Sequence, residues 1–265
     1  MLRHVEAENQ QLGIETDMST CTGWPFGGPW VPIEEAACKA FVIDTLVGPQ
    51  VKSEEIDFCL PEAEKPWAKL IIRKAYPKAD GQQRVIALYE SRARQQVKRA
   101  APGGEGYVID HFDSTAVAHY LQHIEQAFLE SNTPFPHTFF NDSYEVYGAN
   151  WTPTLFEEFA RRRGYRLEDK LEQLVDGDAQ VVSDYRETLS DMLLANFTLQ
   201  WTDWAHRHGA ITRNQAHGSP ANLIDCYAAV DIPEIEGFGL SDFNIRGLRR
   251  DKGFTRPNDS DLSML

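Results

Sequence analysis

Short apolar stretches that turn abruptly polar recur along the chain, and helix-like periodicity fills most of the intervals between them. In the clearest case, Thr138, Phe139 and Phe140 have the character of a buried β-strand, and Asn141 and Asp142 follow at once. The same transition appears near residues 14, 107, 211 and 232. Alternation of strand, polar cluster and helix is typical of parallel βα units, so the pattern predicts the α/β class.

The number of these transitions bounds the architecture. They account for five parallel strands, and the region 47–101 could add a sixth. A closed (β/α)8 barrel of the TIM type needs eight. The C-terminal residues end without a capping or tail sequence. We therefore predict a (β/α)8 TIM-type barrel over residues 1–265 that is incomplete at its C-terminus.

A different pattern occupies residues 47–101. The stretches 69–73 and 84–89 are rich in β-forming side chains and lie between polar turns, which indicates antiparallel strands. We predict a small β-rich insertion within the barrel over 47–101. Just before it, residues 33–46 are predicted to form a helix opened by Glu34 and Glu35.

Caps and apolar periodicity predict the other helices. Asp113 or Ser114 is expected to cap one of them, and Gly13, Gly164 and Gly209 are expected to end three more. The predicted helices cover residues 3–12, 114–130, 153–163, 181–208 and 221–227.

An aromatic loop follows the first predicted strand. Residues 22–30 combine five glycine or proline positions with Trp24, Phe26 and Trp30 around them, which is incompatible with regular structure. The loop either faces a substrate, with Trp24 as its contact, or is a packed aromatic loop.

The composition narrows the possible partners. The chain has 26 Lys and Arg against 40 Asp and Glu, a formal charge of −14. Nucleic acids and anionic membranes select basic surfaces, so neither is an expected partner. No apolar run is long enough to span a bilayer. An uncharged or cationic ligand fits better.

Cysteine usage and the chain ends say little about location. The four cysteines have no CxxC spacing and are expected to be isolated thiols, which weakly favours a reducing compartment. The N-terminus lacks the apolar region of a signal peptide, and both ends are expected to be cut from a longer protein. The compartment stays open, with a periplasmic or secreted parent among the alternatives.

The predicted strand ends and loops gather amide, carboxylate, aromatic, Arg and His side chains. No phosphate loop or dinucleotide fingerprint accompanies them, so a neutral polyhydroxylated substrate is favoured. The candidates for substrate contacts are Trp24, Asp110, His111, Asp142, Tyr144, Asn150, Trp151, Arg213, Asn214, Gln215 and His217.

Several carboxylates in one place suit acid–base cleavage of a glycosidic bond. Glu145 is the predicted general acid, because it lies just past a strand end beside Tyr144 and Trp151. Partial burial there is expected to raise its pKa, as the role requires.

Five segments together carry a resemblance to a known family. They are GWPFGGPW (23–30), NDSYEVYGANWTP (141–153), DYRETL (184–189), TRNQAHGSPAN (212–222) and DIPEIE (231–236). The chain resembles glycoside hydrolase family 106, the α-L-rhamnosidases, over nearly its whole length. The resemblance implies a TIM-barrel catalytic domain, an inverting mechanism on rhamnose-containing oligosaccharides or glycans, and a Ca²⁺ ion that helps to bind the sugar hydroxyls. It also implies a longer parent protein with further β domains.

The resemblance places the acid role on Glu145 and leaves the base open. The base either lies beyond Leu265 or is Glu234 or Glu236. Glu236 is our candidate within the chain, and Glu234 and Glu236 are favoured as ligands of calcium or of sugar hydroxyls, since Ca²⁺ prefers oxygen ligands.

Other interpretations remain beside this one. The fragment could bind sugar without hydrolysing it, because it would lack the base. A metal-dependent isomerase or lyase is a third possibility, but no lysine occupies a predicted strand end. Individually, Arg213 could pair with a buried acid, His217 could be a turn residue, and Asp110 and His111 could be structural.

Overall fold

The structure is a computed structural model that describes residues 1–235. Its helices are α1 Leu2–Leu12, α2 Ser114–Glu130, α3 Leu155–Arg163, α4 Leu171–Val175, α5 Ala179–Leu193, α6 Gln200–Arg207 and α7 Leu223–Ala228. Its strands are β1 Asp17–Ser19, β2 Gly27–Gly28, β3 Cys38–Val47, β4 Lys69–Pro77, β5 Gln83–Arg92, β6 Tyr107–Val108, β7 Thr138–Asn141, β8 Ile211–Asn214 and β9 Ile232–Pro233. Glu236 and the C-terminal segment lie outside the described residues.

Four short strands form a parallel sheet in the order β1-β7-β8-β9. One face of this sheet packs on helices. The Phe139 ring lies 4.8 Å from that of Trp204 on α6 and 6.1 Å from that of Phe128 on α2. These buried rings attach the sheet to the helices. Because the four strands are parallel, their carboxyl ends meet at one edge of the sheet, as the sequence pattern predicts.

The parallel sheet is open in the described part of the chain. Its four strands and their helices give a mixed α/β architecture with the parallel βα units that the pattern predicts. A closed barrel is not formed by residues 1–235. No helix among these residues is long and apolar enough to cross a membrane.

The antiparallel region is a three-stranded sheet in the order β3-β5-β4. β3 pairs with β5 without interruption from Cys38 to Val47. The predicted helix over 33–46 is therefore wrong. Only a 3₁₀ turn, Ile33–Glu35, forms before the strand. The apolar residues that suggested a helix are largely β-formers, and pairing with β5 outweighs their weak local helical preference.

The strand predicted near residue 107 has a different place from the expected one. β6 pairs antiparallel with β2 and belongs to a separate two-stranded sheet. The side chains that follow it, Asp110 and His111, therefore do not follow a strand of the parallel sheet. This separate pairing depends on close backbone approach, because a Cβ atom at Gly27 would collide with the Tyr107 carbonyl oxygen.

The predicted caps and helix ends are largely confirmed. Asp113 caps α2 by accepting a hydrogen bond from the backbone N–H of Thr115 at 2.8 Å. The predicted long helix over 181–208 is α5 and α6 joined by a π-helical segment, Leu194–Leu199. Its Asn196 donates to the Phe112 carbonyl at 2.6 Å and so ties the helix to the chain before α2.

Candidate active site

Amide side chains occupy the carboxyl edge of the parallel sheet. Asn141 at the end of β7 donates its Nδ2 hydrogen to Oδ1 of Asn214 at the end of β8, at 2.7 Å. Both side chains are buried. The backbone N–H of Gln215 donates to the Asn141 carbonyl, and that of Glu234 donates to the Asn214 carbonyl. The edge is thus a connected polar layer rather than a set of loose strand ends.

Arg213 joins three strands on the sheet face opposite the helices. Its Nε donates to Glu234 beyond β9, and its Nη1 donates to Asp17 on β1 at 2.7 Å. Gln215 donates to the other oxygen of Glu234 at 2.7 Å, and the guanidinium lies over the Phe140 ring. The alternative in which Arg213 pairs with a buried acid is the arrangement observed, because Glu234 is buried.

Glu234, one of the two predicted calcium ligands, is engaged by protein side chains in the described structure. Both of its carboxylate oxygens accept hydrogen bonds from Arg213 and Gln215, and the Arg213 cation occupies the place next to the carboxylate. Within residues 1–235, no group of three or more His, Cys, Asp or Glu side chains is arranged to hold a metal ion. The second predicted ligand, Glu236, lies outside the described residues.

Glu145 lies on the loop after β7 with its side chain 32% exposed. Lys98 and the Tyr147 hydroxyl donate to its Oε2, the latter at 3.2 Å. The Ser143 hydroxyl donates to its Oε1 at 3.2 Å. The carboxylate is therefore open to solvent on one side and hydrogen-bonded on the other.

The pKa of Glu145 is lowered, contrary to the prediction. The hydrogen bond from Lys98 is the largest cause, and it outweighs the effect of partial burial, which acts in the opposite direction. Lys98 was missed in the sequence because it precedes Glu145 by 47 residues and lies after β5, near the end of the predicted β-rich insertion. No local pattern connects the two positions.

The aromatic loop approaches Glu145 through the same lysine. Trp24 and Lys98 form an antiparallel backbone bridge, with the Lys98 N–H donating to the Trp24 carbonyl at 2.7 Å. The half-buried Trp24 ring lies 5.5 Å from the Arg99 guanidinium carbon. Trp24 and Glu145 therefore flank one lysine, whereas Phe26 is fully buried in the core.

Asp110 and His111 are buried behind the loop that carries Glu145. Asp110 is 1% exposed, and burial raises its pKa to about 7. Burial lowers the pKa of His111 to about 3. The His111 ring meets the Tyr144 ring edge-on at 5.0 Å. The Tyr144 hydroxyl is buried without a hydrogen-bond partner in the described structure.

Asn150 and Trp151 hold the Glu145 loop on the antiparallel sheet. The amide of Asn150 bonds both backbone groups of Ala40, and the buried indole N–H of Trp151 donates to Glu90 at 3.1 Å. These contacts attach the loop to the antiparallel sheet in the described structure. Their part in substrate binding stays a prediction.

Two further candidates lie on exposed turns or strand ends. The side chain of His217 is exposed, and its backbone carbonyl accepts a hydrogen bond from the Tyr144 N–H at 2.8 Å. Asp142 caps its own turn by accepting from the Ser143 N–H at 2.7 Å. Both positions border Glu145 or Tyr144 and stay predictions as sugar contacts.

Comparison with known proteins supports the resemblance seen in the sequence. The family model described as alpha-L-rhamnosidase, glycoside hydrolase family 106, matches residues 74–236. A Formosa agariphila protein with the provisional name of beta-glucuronidase is 29% identical over 144 residues, which are 50% of this chain and 12% of that protein. The structure of a rhamnosidase from Novosphingobium sp. PP1Y matches with a TM-score of 0.52 and 27% identity, over 58% of this chain and 16% of that one.

The chain spans less than a fifth of the length of either relative. The family match nevertheless covers more than half of the chain, including Lys98, Glu145, Arg213 and Glu234. The chain therefore belongs to glycoside hydrolase family 106, the α-L-rhamnosidase family.

Proposed function

We propose that the chain carries part of the active site of a glycoside hydrolase that cleaves terminal α-L-rhamnosides from oligosaccharides or glycans. Family membership supports the substrate class. The single observation that carries the proposal to a residue is the partly exposed Glu145 carboxylate on the loop after β7, at the carboxyl side of the parallel sheet. Active sites of α/β barrels lie on that side.

The proposed architecture is a (β/α)8 barrel to which β1, β7, β8 and β9 contribute. The parallel order of these strands and the helices on one face support it. The face that carries Asp17, Phe140 and Arg213 would then line the barrel interior.

The proposed reaction proceeds with inversion. Glu145 gives its proton to the glycosidic oxygen as the bond to the anomeric carbon breaks. A second carboxylate takes a proton from a water molecule, whose oxygen attacks the same carbon from the opposite face. Such pairs stand about 6.5–9.5 Å apart to admit the water.

The general base of the proposed reaction is a carboxylate other than Glu145. Glu234 is a poor candidate, since Arg213 and Gln215 occupy both of its oxygens and Arg213 would oppose its protonation. Glu236 and a carboxylate beyond Leu265 are the remaining candidates, and both lie outside the described residues.

Calcium binding stays a prediction of the resemblance, and no step above depends on it. A calorimetric titration of the EDTA-treated chain with Ca²⁺ tests it, with the Glu236→Gln variant beside the wild type. Saturable binding that is weakened in the variant would support the predicted ligand. Equal binding by both chains would remove Glu236 from that role.

The activity is tested with an aryl α-L-rhamnoside. We expect hydrolysis that falls about 10²- to 10⁴-fold in Glu145→Gln, the usual range for loss of a general acid or base. Glu62→Gln, at an exposed position where the carboxylate pairs with Lys65, is the matched control. The anomer first released, followed by NMR, reports inversion or retention.

The outcomes separate the candidate functions. A folded chain that binds rhamnose without turnover would favour the sugar-binding alternative. Full activity of Glu145→Gln would remove Glu145 from the reaction.

A further inference from the structure

The segment 93–98, here called the strap, follows β5 along the chain and pairs with the aromatic loop. Its backbone is fixed at several places, two of them next to Lys98. Lys98 pairs with Trp24, and the Val97 N–H donates to the Gly106 carbonyl at 3.0 Å. Lys98 approaches Gly23 so closely that a Cβ atom at residue 23 would collide with the Lys98 carbonyl oxygen. The Cα position of Lys98 is thus set by backbone contacts and not by its side chain.

The strap forms hydrogen bonds and an ion pair with the loop that carries Glu145. Gln95 donates to the Glu145 carbonyl at 2.6 Å and accepts from the Tyr147 N–H at 2.7 Å. Beside these backbone bonds, Lys98 pairs with the Glu145 carboxylate. The Lys98 Nζ also lies 3.2 Å from the Tyr147 hydroxyl and 4.7 Å from the centroid of its ring. The neutral Gln95 side chain therefore fixes the backbone of the Glu145 loop, and the Lys98 ammonium fixes the Glu145 carboxylate.

Few groups act on this carboxylate. In the described part of the chain they are Lys98 from the strap and the hydroxyls of Tyr147 and Ser143 from the loop itself. Lys98 is the only cation among them. The Glu145 side chain is about one-third exposed, so solvent screens the Lys98–Glu145 ion pair on one side, while protein groups contact it on the other.

This arrangement conflicts with a simple view of Glu145 as a resting acid. A general acid must carry a proton, and a neighbouring ammonium stabilises the ionised carboxylate instead. The protonated population therefore depends on Lys98. Removal of the Lys98 charge would favour the protonated carboxyl.

We propose that Lys98 is a positioning residue that holds the Glu145 carboxylate against Tyr147 and, through this ion pair, controls whether Glu145 carries a proton. The inference rests on the proposed function for its catalytic meaning, but the pair itself is a property of the chain. The two parts are therefore tested separately.

The pair is tested without activity. The carboxyl carbon of Glu145 is followed by NMR as the ¹³C-labelled 265-residue chain is titrated with acid, and its signal is assigned from the Glu145→Gln spectrum. We expect Glu145 to gain its proton at higher pH in Lys98→Met than in wild type, and near the wild-type pH in Lys98→Arg. Lys65→Met, which removes the exposed partner of Glu62, is the control and should leave the signal unchanged.

The catalytic consequence is read from the pH dependence of kcat/KM, which reports groups of the free enzyme. If Glu145 is the acid, activity falls as the pH rises through its pKa. Lys98→Met should then move this alkaline limb to higher pH, while Lys98→Arg should restore the wild-type limb. If Lys98→Met instead moves the acidic limb of the kcat/KM profile, Lys98 is still a positioning residue, but Glu145 acts as a base.

One result would overturn the inference about Lys98, and a different result would reject the proposed rhamnosidase function. Equal Glu145 titration in wild type and Lys98→Met would overturn the inference, whatever the activity. A shifted titration in a folded chain that hydrolyses no rhamnoside would retain the Lys98–Glu145 pair and reject the proposed function of the chain.

Discussion

At the scale of single residues, Asp110 and His111 show how burial acts on neighbouring groups of opposite type. The carboxyl pKa rises from 3.8 to about 7, and the imidazole pKa falls from 6.5 to about 3, both mainly through desolvation. Both side chains are therefore uncharged in the folded state at mildly acidic pH. The pair fills a buried polar space without an ion pair.

The two shifts predict opposing effects of pH on stability. From about pH 4 to 7, folded Asp110 keeps a proton that the unfolded chain has lost, so its contribution to the free energy of unfolding falls as the pH rises. From about pH 6.5 down to 3, the unfolded chain protonates His111 while the folded chain does not. The contribution of His111 therefore falls as the pH falls.

Asp110→Asn should remove one of these effects. Relative to wild type, the variant should gain stability as the pH rises from 4 to 7, by about 1.4 kcal/mol for each unit of the lost pKa shift. Urea unfolding at pH 4, 5.5 and 7.5 measures the difference in free energy of unfolding between variant and wild type. Asp57→Asn, at an exposed position, is the control. Parallel pH profiles for Asp110→Asn and wild type would contradict the prediction.

Arg213 supports another single-residue prediction. Arg213→Met removes the cation that pairs with the buried Glu234 carboxylate, so we expect a loss of roughly 3 kcal/mol in the free energy of unfolding. Arg166→Met, which removes a solvent-exposed arginine from its pair with Glu168, should cost much less. Denaturant unfolding at neutral pH compares the two. Adding Glu234→Gln to Arg213→Met should restore part of the loss, and no recovery would indicate that the charge was not the cause.

At the scale of elements, the small β2–β6 sheet positions the strap and the aromatic loop. A Cβ atom at Gly106 would collide with the backbone of Gly28 and Pro29, because the two segments touch directly. Val97 on the strap bonds the Gly106 carbonyl. The position of Lys98 thus depends on a backbone contact that only glycine allows.

Gly106→Ala should separate these segments. We expect a loss of about 3 kcal/mol or more in stability, in the range of strained backbone and overpacking mutations. Gly48→Ala is the matched control, since its added Cβ would meet no atom within 4 Å. Thermal unfolding of both variants measures the difference. A Gly106→Ala variant as stable as Gly48→Ala would show that the segments can move apart freely.

At the scale of the whole molecule, the charge of −14 is the dominant feature. Anionic lipids and nucleic acids would have to approach a surface of the same sign, which opposes binding at physiological ionic strength. A neutral glycan meets no such barrier. The charge therefore agrees with the proposed substrate without identifying it.

We predict that the chain does not sediment with anionic phospholipid vesicles in 0.15 M salt. Neutral vesicles serve as the control for nonspecific adsorption. Sedimentation with anionic vesicles alone would indicate a local basic surface that the net charge conceals, and would contradict the prediction.

Local patterns predicted much of the element order. Gly13 and Gly164 end their helices in the left-handed conformation, and Asp113 caps α2, because caps depend on residues within one turn. The parallel strands near 138, 211 and 232 were found because an apolar stretch followed by a polar cluster is also a local signal. The wrong helix at 33–46 is the converse case, since β3 forms through pairing with the distant β5.

The sequence by itself determined the α/β class, the helix ends, the charge and the segments that carry the family resemblance. The tertiary structure decided which of the candidate groups meet. It paired Lys98 with Glu145, joined Arg213 to Asp17 and Glu234, and buried Asp110 and His111 away from the parallel sheet. The ionisation of Glu145 follows from such a contact. Electrostatic effects depend on distance in space, and the residue that controls Glu145 is remote in the chain.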